Sequence, residues 1–174
     1  MSRFSLSVLA ACFCLTSGAA MAQGAAKPTD PQIAHIVYTA DQLDIKTAQL
    51  ALKKSKNKEV RAFANDMIRD HKAVNTQALA LVKRLNVTPE DNPTSQALAQ
   101  QGNAKLKELG KLKGAAFDRA YAQYEATYHQ QVNSAVQGTL IPAATNGELK
   151  SLLGTGLKIF QGHQQHAEQL ARGL

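Results

Sequence analysis

Titratable side chains stand at four places in this sequence where a packed helix ordinarily carries leucine. Val60, Ala64, Met67, His71, Val74, Ala78, Leu81 and Leu85 recur at alternating spacings of four and three, so His71 interrupts an otherwise apolar seam. Leu149, Leu153, Gly156, Phe160, His163, Ala167 and Leu170 repeat the pattern, with His163 as the interruption and His166 close behind. Asp118, Ala122, Glu125, His129, Val132 and Val136 share one helical face, and Asp44 falls between Ala40 and Thr47 beside Leu43. Burying such groups is costly unless they are paired or bind a metal. Imidazoles and carboxylates from several helices make a donor set suited to a divalent first-row transition metal.

The heights are compatible with a shared layer. With a turn centred near Lys56, Asp44 faces about residue 68, which leaves His71 roughly one helical turn, about 5 Å, away. With a second connection near Pro142, Glu125 faces about residue 159, and His163 is again about one turn off; His129 is farther. The paired Glu-x-x-His signature of di-iron bundles is absent, because position 68 is Ile and position 160 is Phe. The competing account is purely structural: each histidine hydrogen-bonds a neighbour, as His71 would with Asp44, Tyr121 or the adjacent Asp70. Tyr121, Tyr124 and Tyr128 read as packing residues whose hydroxyls reach solvent.

The elements that must position these groups are helices. Asp30-Pro31 is a helix start, with the carboxylate as cap, and the first helix runs to about Lys54. The second spans about Asn57 to Leu85, and Asn86 to Pro93 is a loop. A third starts at Thr94 or Ser95, is broken by Gly110 and Gly114, and resumes from Ala115 to about Val136. Gly138 and Pro142 mark a connection, Thr145-x-x-Glu148 is a capping box opening the last helix, and Gly173 closes it. No strand-like alternation appears. The expected fold is all-α: an antiparallel four-helix bundle over residues 31–172, with a broken third helix.

The N-terminus reads as a secretory signal. Arg3 precedes an apolar run from Phe4 to Leu15, and Ala20-Met21-Ala22 is a small-x-small cleavage site, so a mature chain would begin at Gln23 with residues 23–30 as a flexible leader. The run is too short for a membrane span. Leu9-Ala10-Ala11-Cys12 offers an alternative, lipidation at Cys12. With the signal go both cysteines, Cys12 and Cys14, and with them any disulfide or thiolate ligand. The expected location is the periplasm or the medium. The chain carries a formal charge of +7. Nucleic acid is not the partner expected of an exported protein, and weak association with an anionic envelope surface is the most that a basic surface implies.

One run carries a family resemblance. Ala62-Phe63-Ala64-Asn65-Asp66-Met67-Ile68-Arg69-Asp70-His71, followed by Asn75, resembles the second-helix motif of the domain-of-unknown-function 4142 family. Phe117-Asp118-Arg119-Ala120-Tyr121 with His129 is similar to its third-helix motif, and His163 and His166 to its C-terminal histidines. Asp44 stands where the family usually has Glu. The resemblance covers about residues 30–172 and implies an exported, ferritin-like helical bundle without an established activity.

Two functional readings follow. In one, the bundle binds a transition metal or small ligand through Asp44, His71, Glu125, His129 and His163, with Asp70, Asp118 and His166 as supporting or alternate groups. In the other, a non-catalytic envelope stress or interaction protein uses the polar seam residues only to fix helix register. No nucleophile–base arrangement of an enzyme is legible.

Overall fold

The computed structural model describes residues 27–174; the expected signal at residues 1–22, the alternative lipidation site Cys12, and residues 23–26 of the leader lie outside the described residues. Among the described residues all regular structure is helical: α1 (Asp30–Lys54), α2 (Lys58–Arg84), α3 (Pro93–Lys111), α4 (Gly114–Ala135), a π-helical segment (Val136–Leu140), the single turn α5 (Ile141–Ala143) and α6 (Gly147–Gly173).

The helix ends follow local chemistry, with three shifts from the sequence expectation. Thr29, not Asp30, caps α1: its hydroxyl accepts from the Gln32 N–H while the Gln32 side chain accepts from the Thr29 N–H. Asp30 is thereby freed to accept from the Thr145 N–H at 2.8 Å, the Thr145 hydroxyl at 2.6 Å and the Asn146 N–H at 2.9 Å. With the Thr145 hydroxyl so engaged, the cap of α6 passes to Asn146, whose side chain receives the N–H groups of Glu148 and Leu149. Asn92 caps α3 in the same way, and Pro93 takes the first helical position.

The expected broken third helix is two helices. Lys111 ends α3, the backbone turns through Leu112 and Lys113, and Gly114 opens α4 with φ +55°. That left-handed conformation suits glycine, which has no Cβ to clash. Instead of a connection at Gly138 and Pro142, α4 widens into the π segment. The Ile141 N–H reaches back to the Val136 carbonyl, and Pro142, which has no N–H, cannot continue an ordinary ladder.

Helix α1 packs on α2 and α3, α2 on α6, α6 on α4, and α4 closes back on α1. The apolar core between them has two parts. One holds Ala48, Ala51, Phe63, Met67, Phe117, Tyr121 and Leu170. The other holds Ile33, Ile36, Leu81, Val136, Leu140, Leu149 and Leu153. On every helix of the ring, buried polar residues lie between these clusters: Asp41 and Asp44, His71, Glu125 and His129, His163.

Candidate metal centre

Each helix of the ring contributes to this layer. Asp41 and Asp44 lie three apart on α1, and Glu125 and His129 four apart on α4, spacings that put each pair on one face. His71 comes from α2 and His163 from α6. All five sequence candidates are buried: Asp44 is 2 % exposed, His71 1 %, Glu125 0 %, His129 1 % and His163 7 %. The imidazole rings of His71, His129 and His163 form a triangle with centroids 5.7, 5.2 and 5.4 Å apart.

Every histidine of the triangle has one nitrogen tied outward. His71 Nδ1 meets Asp41 Oδ1 at 2.8 Å, His129 Nδ1 meets the Glu125 carbonyl at 3.0 Å, and His163 Nε2 meets Asp70 Oδ2 at 3.0 Å. Carboxylates and carbonyls only accept, so these outward nitrogens carry the proton in neutral imidazole. The remaining nitrogens, His71 Nε2, His129 Nε2 and His163 Nδ1, are buried and have no hydrogen-bond partner among the described residues. One nitrogen from each ring lies within 4.8 Å of the others. Oriented imidazoles with outward acceptors and inward lone pairs are the arrangement in which proteins hold metal-ligating histidine. A tetrahedral ion with bonds of about 2.0–2.1 Å needs donors roughly 3.3 Å apart, closer than the 4.8 Å within which the three rings each place a nitrogen.

The carboxylates stand beside this triangle. Asp44 Oδ2 lies 3.6 Å from His71 Nε2, and Glu125 Oε2 lies 3.7 Å from His129 Nδ1. Glu125 Oε1 accepts from the Thr47 hydroxyl at 2.8 Å. Asp41 Oδ2, Asp44 Oδ1 and Glu125 Oε2 are buried without a hydrogen-bond donor among the described residues. Asp41–Asp44–His71 and Asp44–Glu125–His129 each bring three candidate donor atoms within 4.8 Å of one another, so three donor groups overlap in one layer.

The electrostatics reflect a crowd of buried acids. Burial, then the negative charges of Glu125 and Asp41, hold the Asp44 carboxyl well above its usual range. Burial pushes Glu125 up to about 7 against the hydrogen bonds from Thr47 and Asp44, and raises Asp41 against its bond to His71. The histidines move the other way. Burial and the neighbouring His71 and His163 depress His129 strongly, and burial outweighs Asp70 to lower His163. In Asp70, burial is outweighed by Arg69 and His163, and the carboxyl sits below its usual range. Imidazoles at His129 and His163 that resist protonation, beside carboxyls that resist ionisation, make a layer whose balance a dication would change.

Other sequence expectations land differently. His71 hydrogen-bonds Asp41, while Asp44 stands 3.6 Å from its other nitrogen, within ion-pair distance. Asp70 instead joins α2 to α6 through His163 and is held by Arg69 Nε at 2.8 Å. Asp118 is buried but belongs to none of the donor groups, and His166 is exposed, its ring edge-on to Phe63 at 5.0 Å. Tyr121 does not reach solvent: it is 0 % exposed and its hydroxyl has no partner among the described residues. Tyr128 is also buried, its hydroxyl donating to the Ala40 carbonyl at 3.4 Å. Asp41 was not singled out from sequence, although its i, i+3 relation to Asp44 was a usable signal. Phe160, expected only as seam packing, stacks on His71 with centroids 4.9 Å apart and planes 9° from parallel.

Residues 15–170 match the family model described as "Domain of unknown function (DUF4142)". No curated protein matches the chain. Among solved structures, a DUF305 fragment from Deinococcus radiodurans is similar at a TM-score of 0.71 and 16% identity, covering 86% of this chain and 100% of that one. At that identity the likeness carries the helical fold alone.

Proposed function

The chain belongs to the DUF4142 family, and we propose that it is an exported four-helix-bundle protein of ferritin-like type that binds one divalent first-row transition metal. The bundle is the ring of α1, α2, α4 and α6, with α3 packed outside it against α1. His71, His129 and His163 are the proposed direct ligands. Asp44 and Glu125 offer a fourth donor and charge balance, and Asp41 and Asp70 orient the imidazoles. The observation that carries this reading is the arrangement of the three histidines. They come from three helices, each is fixed by a hydrogen bond and keeps a buried, unpartnered nitrogen, and one nitrogen of each ring lies within 4.8 Å of the others.

Charge supports the same reading. An ionised Asp41 together with an Asp44–Glu125 pair that shares a single proton balances a dication bound to three neutral imidazoles. The nitrogen-rich, thiolate-free donor set suits zinc or copper better than calcium or magnesium, which prefer oxygen.

The test is metal analysis of chelator-free protein, followed by thermal denaturation with zinc, copper, iron or manganese. Bound metal and a raised melting temperature, both lost in the His71→Ala, His163→Ala double variant, support the proposal. No bound metal and no shift with any of the four would sink it. The second reading rests on the same hydrogen bonds: His71–Asp41 ties α2 to α1 and His163–Asp70 ties α6 to α2, so they fix helix register without any ion. It predicts a stability loss in the double variant that is equal with metal and with chelator. Export is tested by N-terminal mass spectrometry, which should find Gln23 first and no acyl chain; a lipid-bearing Cys12 would place the protein on a membrane.

A further inference from the structure

A cleft of about 730 Å³ opens between α1, the start of α3, α4 and the π segment. Its volume falls within the range of pockets that take drug-sized molecules. The rim is polar, with Gln32, Thr94, Gln131 and Thr139, and the walls are apolar, with Ile36, Val37, Leu98, Val132, Val136 and Leu140. Val136, Thr139 and Leu140 belong to the π segment, so the widened turn shapes one wall, and such turns recur at functional sites.

The least exposed residue lining the cleft is Asp41, at 1 %. One of its oxygens is engaged by His71, and Oδ2 has no partner among the described residues. Phe160 also lines the cleft, and its ring stacks on His71. A molecule seated there therefore lies one side chain away from the histidine triangle, against Asp41 and Phe160. Buried acceptors without donors are costly, so the inner end of the cleft is built for a hydrogen-bond donor. Lys27 is the one cationic residue of the lining and Asp41 the one acid. An anionic headgroup would find no cation beside Asp41 at the buried end.

We propose that this cleft binds a neutral small molecule whose hydroxyl donates to Asp41 while its apolar body packs along α1, α4 and the π segment. This is independent of whether a metal binds, and it is tested on the chain beginning at Gln23, both zinc-loaded and chelated. The probe is 1-naphthol, with naphthalene as the analogue that lacks the donor. Saturable, one-to-one binding is expected by calorimetry, with ¹³C-detected shifts at Asp41, Val136, Leu140 and Phe160. Naphthalene should bind about ten-fold more weakly, because it leaves the Asp41 acceptor unpaired. Ala135 lies exposed at the rim, so Ala135→Trp should block entry without disturbing the core, and Thr139→Trp should do the same from another point on the rim.

Absence of saturable binding, equal affinity for naphthalene, or binding untouched in folded Ala135→Trp and Thr139→Trp proteins would each overturn the proposal. So would a 1-naphthol affinity that falls with rising protein concentration, which would assign the cleft to a second copy. An affinity that appears only after removal of residues 23–26 would assign it to the chain's own N-terminal residues, with the same consequence.

Discussion

The apolar clusters and the polar layer between them share α1, α2 and α6, yet they obey opposite rules. In the clusters, contact between apolar groups dominates: Phe63 meets Tyr121 edge-on at 6.0 Å and Phe117 stacks on Tyr121 at 6.0 Å, with the Tyr121 hydroxyl the one polar group of this trio left without a partner among the described residues. In the layer, Asp41, Asp44, His71, Glu125, His129 and His163 each keep a buried polar atom without a partner among the described residues. Packing density can make the first arrangement stable on its own. The second is tolerable only because the clusters above and below hold the helices while the layer waits for a proton or a cation. The difference separates two kinds of burial in this molecule: the ends bury mainly apolar surface, and the middle buries polar groups that lack partners among the described residues.

The sharpest way to break the contrast is to hollow out an end. Phe63→Ala should lower unfolding free energy by about 3–5 kcal/mol, since the ring is 0 % exposed and its removal leaves a cavity. Urea denaturation should give the same loss with metal and with chelator. A loss confined to one condition would mean that cluster and layer are not separable.

The complementary change relieves the middle. Glu125 has a folded pKa of about 7 against an ordinary 4.5, so in metal-free protein it costs nothing below about pH 4.5 and costs progressively more as pH rises to about 7. The folded state binds the extra proton over that window, and raising the pH therefore destabilises it. Glu125→Gln removes this dependence. Chelated Glu125→Gln should gain on the wild type by about 2–3 kcal/mol between pH 4.5 and pH 8. His129 and His163 act oppositely: their depressed folded values make both proteins lose stability as pH falls below 6.5, so the Glu125 contribution is read above that pH. A pH-independent difference between the two proteins would refute the crowded-acid account of the layer.

Two smaller effects sharpen the boundary with the outside of the ring. A Cβ added at Gly102 would collide with the Leu43 side chain, so Gly102→Ala should cost roughly 1–3 kcal/mol and loosen α3 from α1. Hydrogen exchange should rise in α3 before α2. Arg84 pairs with Glu148 at the surface, both side chains more than half exposed. Arg84→Ala should move the melting curve by about 0–1 kcal/mol and least at high salt.

The helices were legible because their seams alternate four and three over long stretches, and burial follows those seams at Met67, His71, Val74, Phe160 and His163. Their ends were less so. Capping residues are chosen by tertiary competition, and Asp30 was misread as a cap because its true partners, Thr145 and Asn146, lie more than a hundred residues away in sequence. The helical continuation past Gly138 was hidden for a related reason: glycine and proline signal a stop locally, but packing of Leu140 and Ala144 in the cluster with Ile33, Leu81 and Leu149 overrides them. In the site, Asp44, His71, Glu125, His129 and His163 could be picked out because each breaks an apolar pattern. Asp41 escaped because it stands next to the seam residue Ala40 and reads as solvated until α2 brings His71 against it. The height estimate placed His129 too far off because it assumed a turn at Pro142 instead of a widened helix.

That widened stretch has a consequence for how the chain tolerates change in length. Val136, Leu140 and Ala144 are all buried, a spacing of four and four that an ordinary α-helix would rotate progressively off one face. A turn closing at the fifth residue absorbs the surplus. The segment thus acts as a spacer holding one residue more than the regular coil needs. Losing Gly138 would remove that surplus and return the stretch to an unbroken α-helix with the residues after it still in step. Gaining a residue there would need only a wider turn. Homologous chains that differ in length by one residue between Ala135 and Ala144 should therefore keep His129 and His163 in step, with the difference taken up in this turn and not passed on to α6.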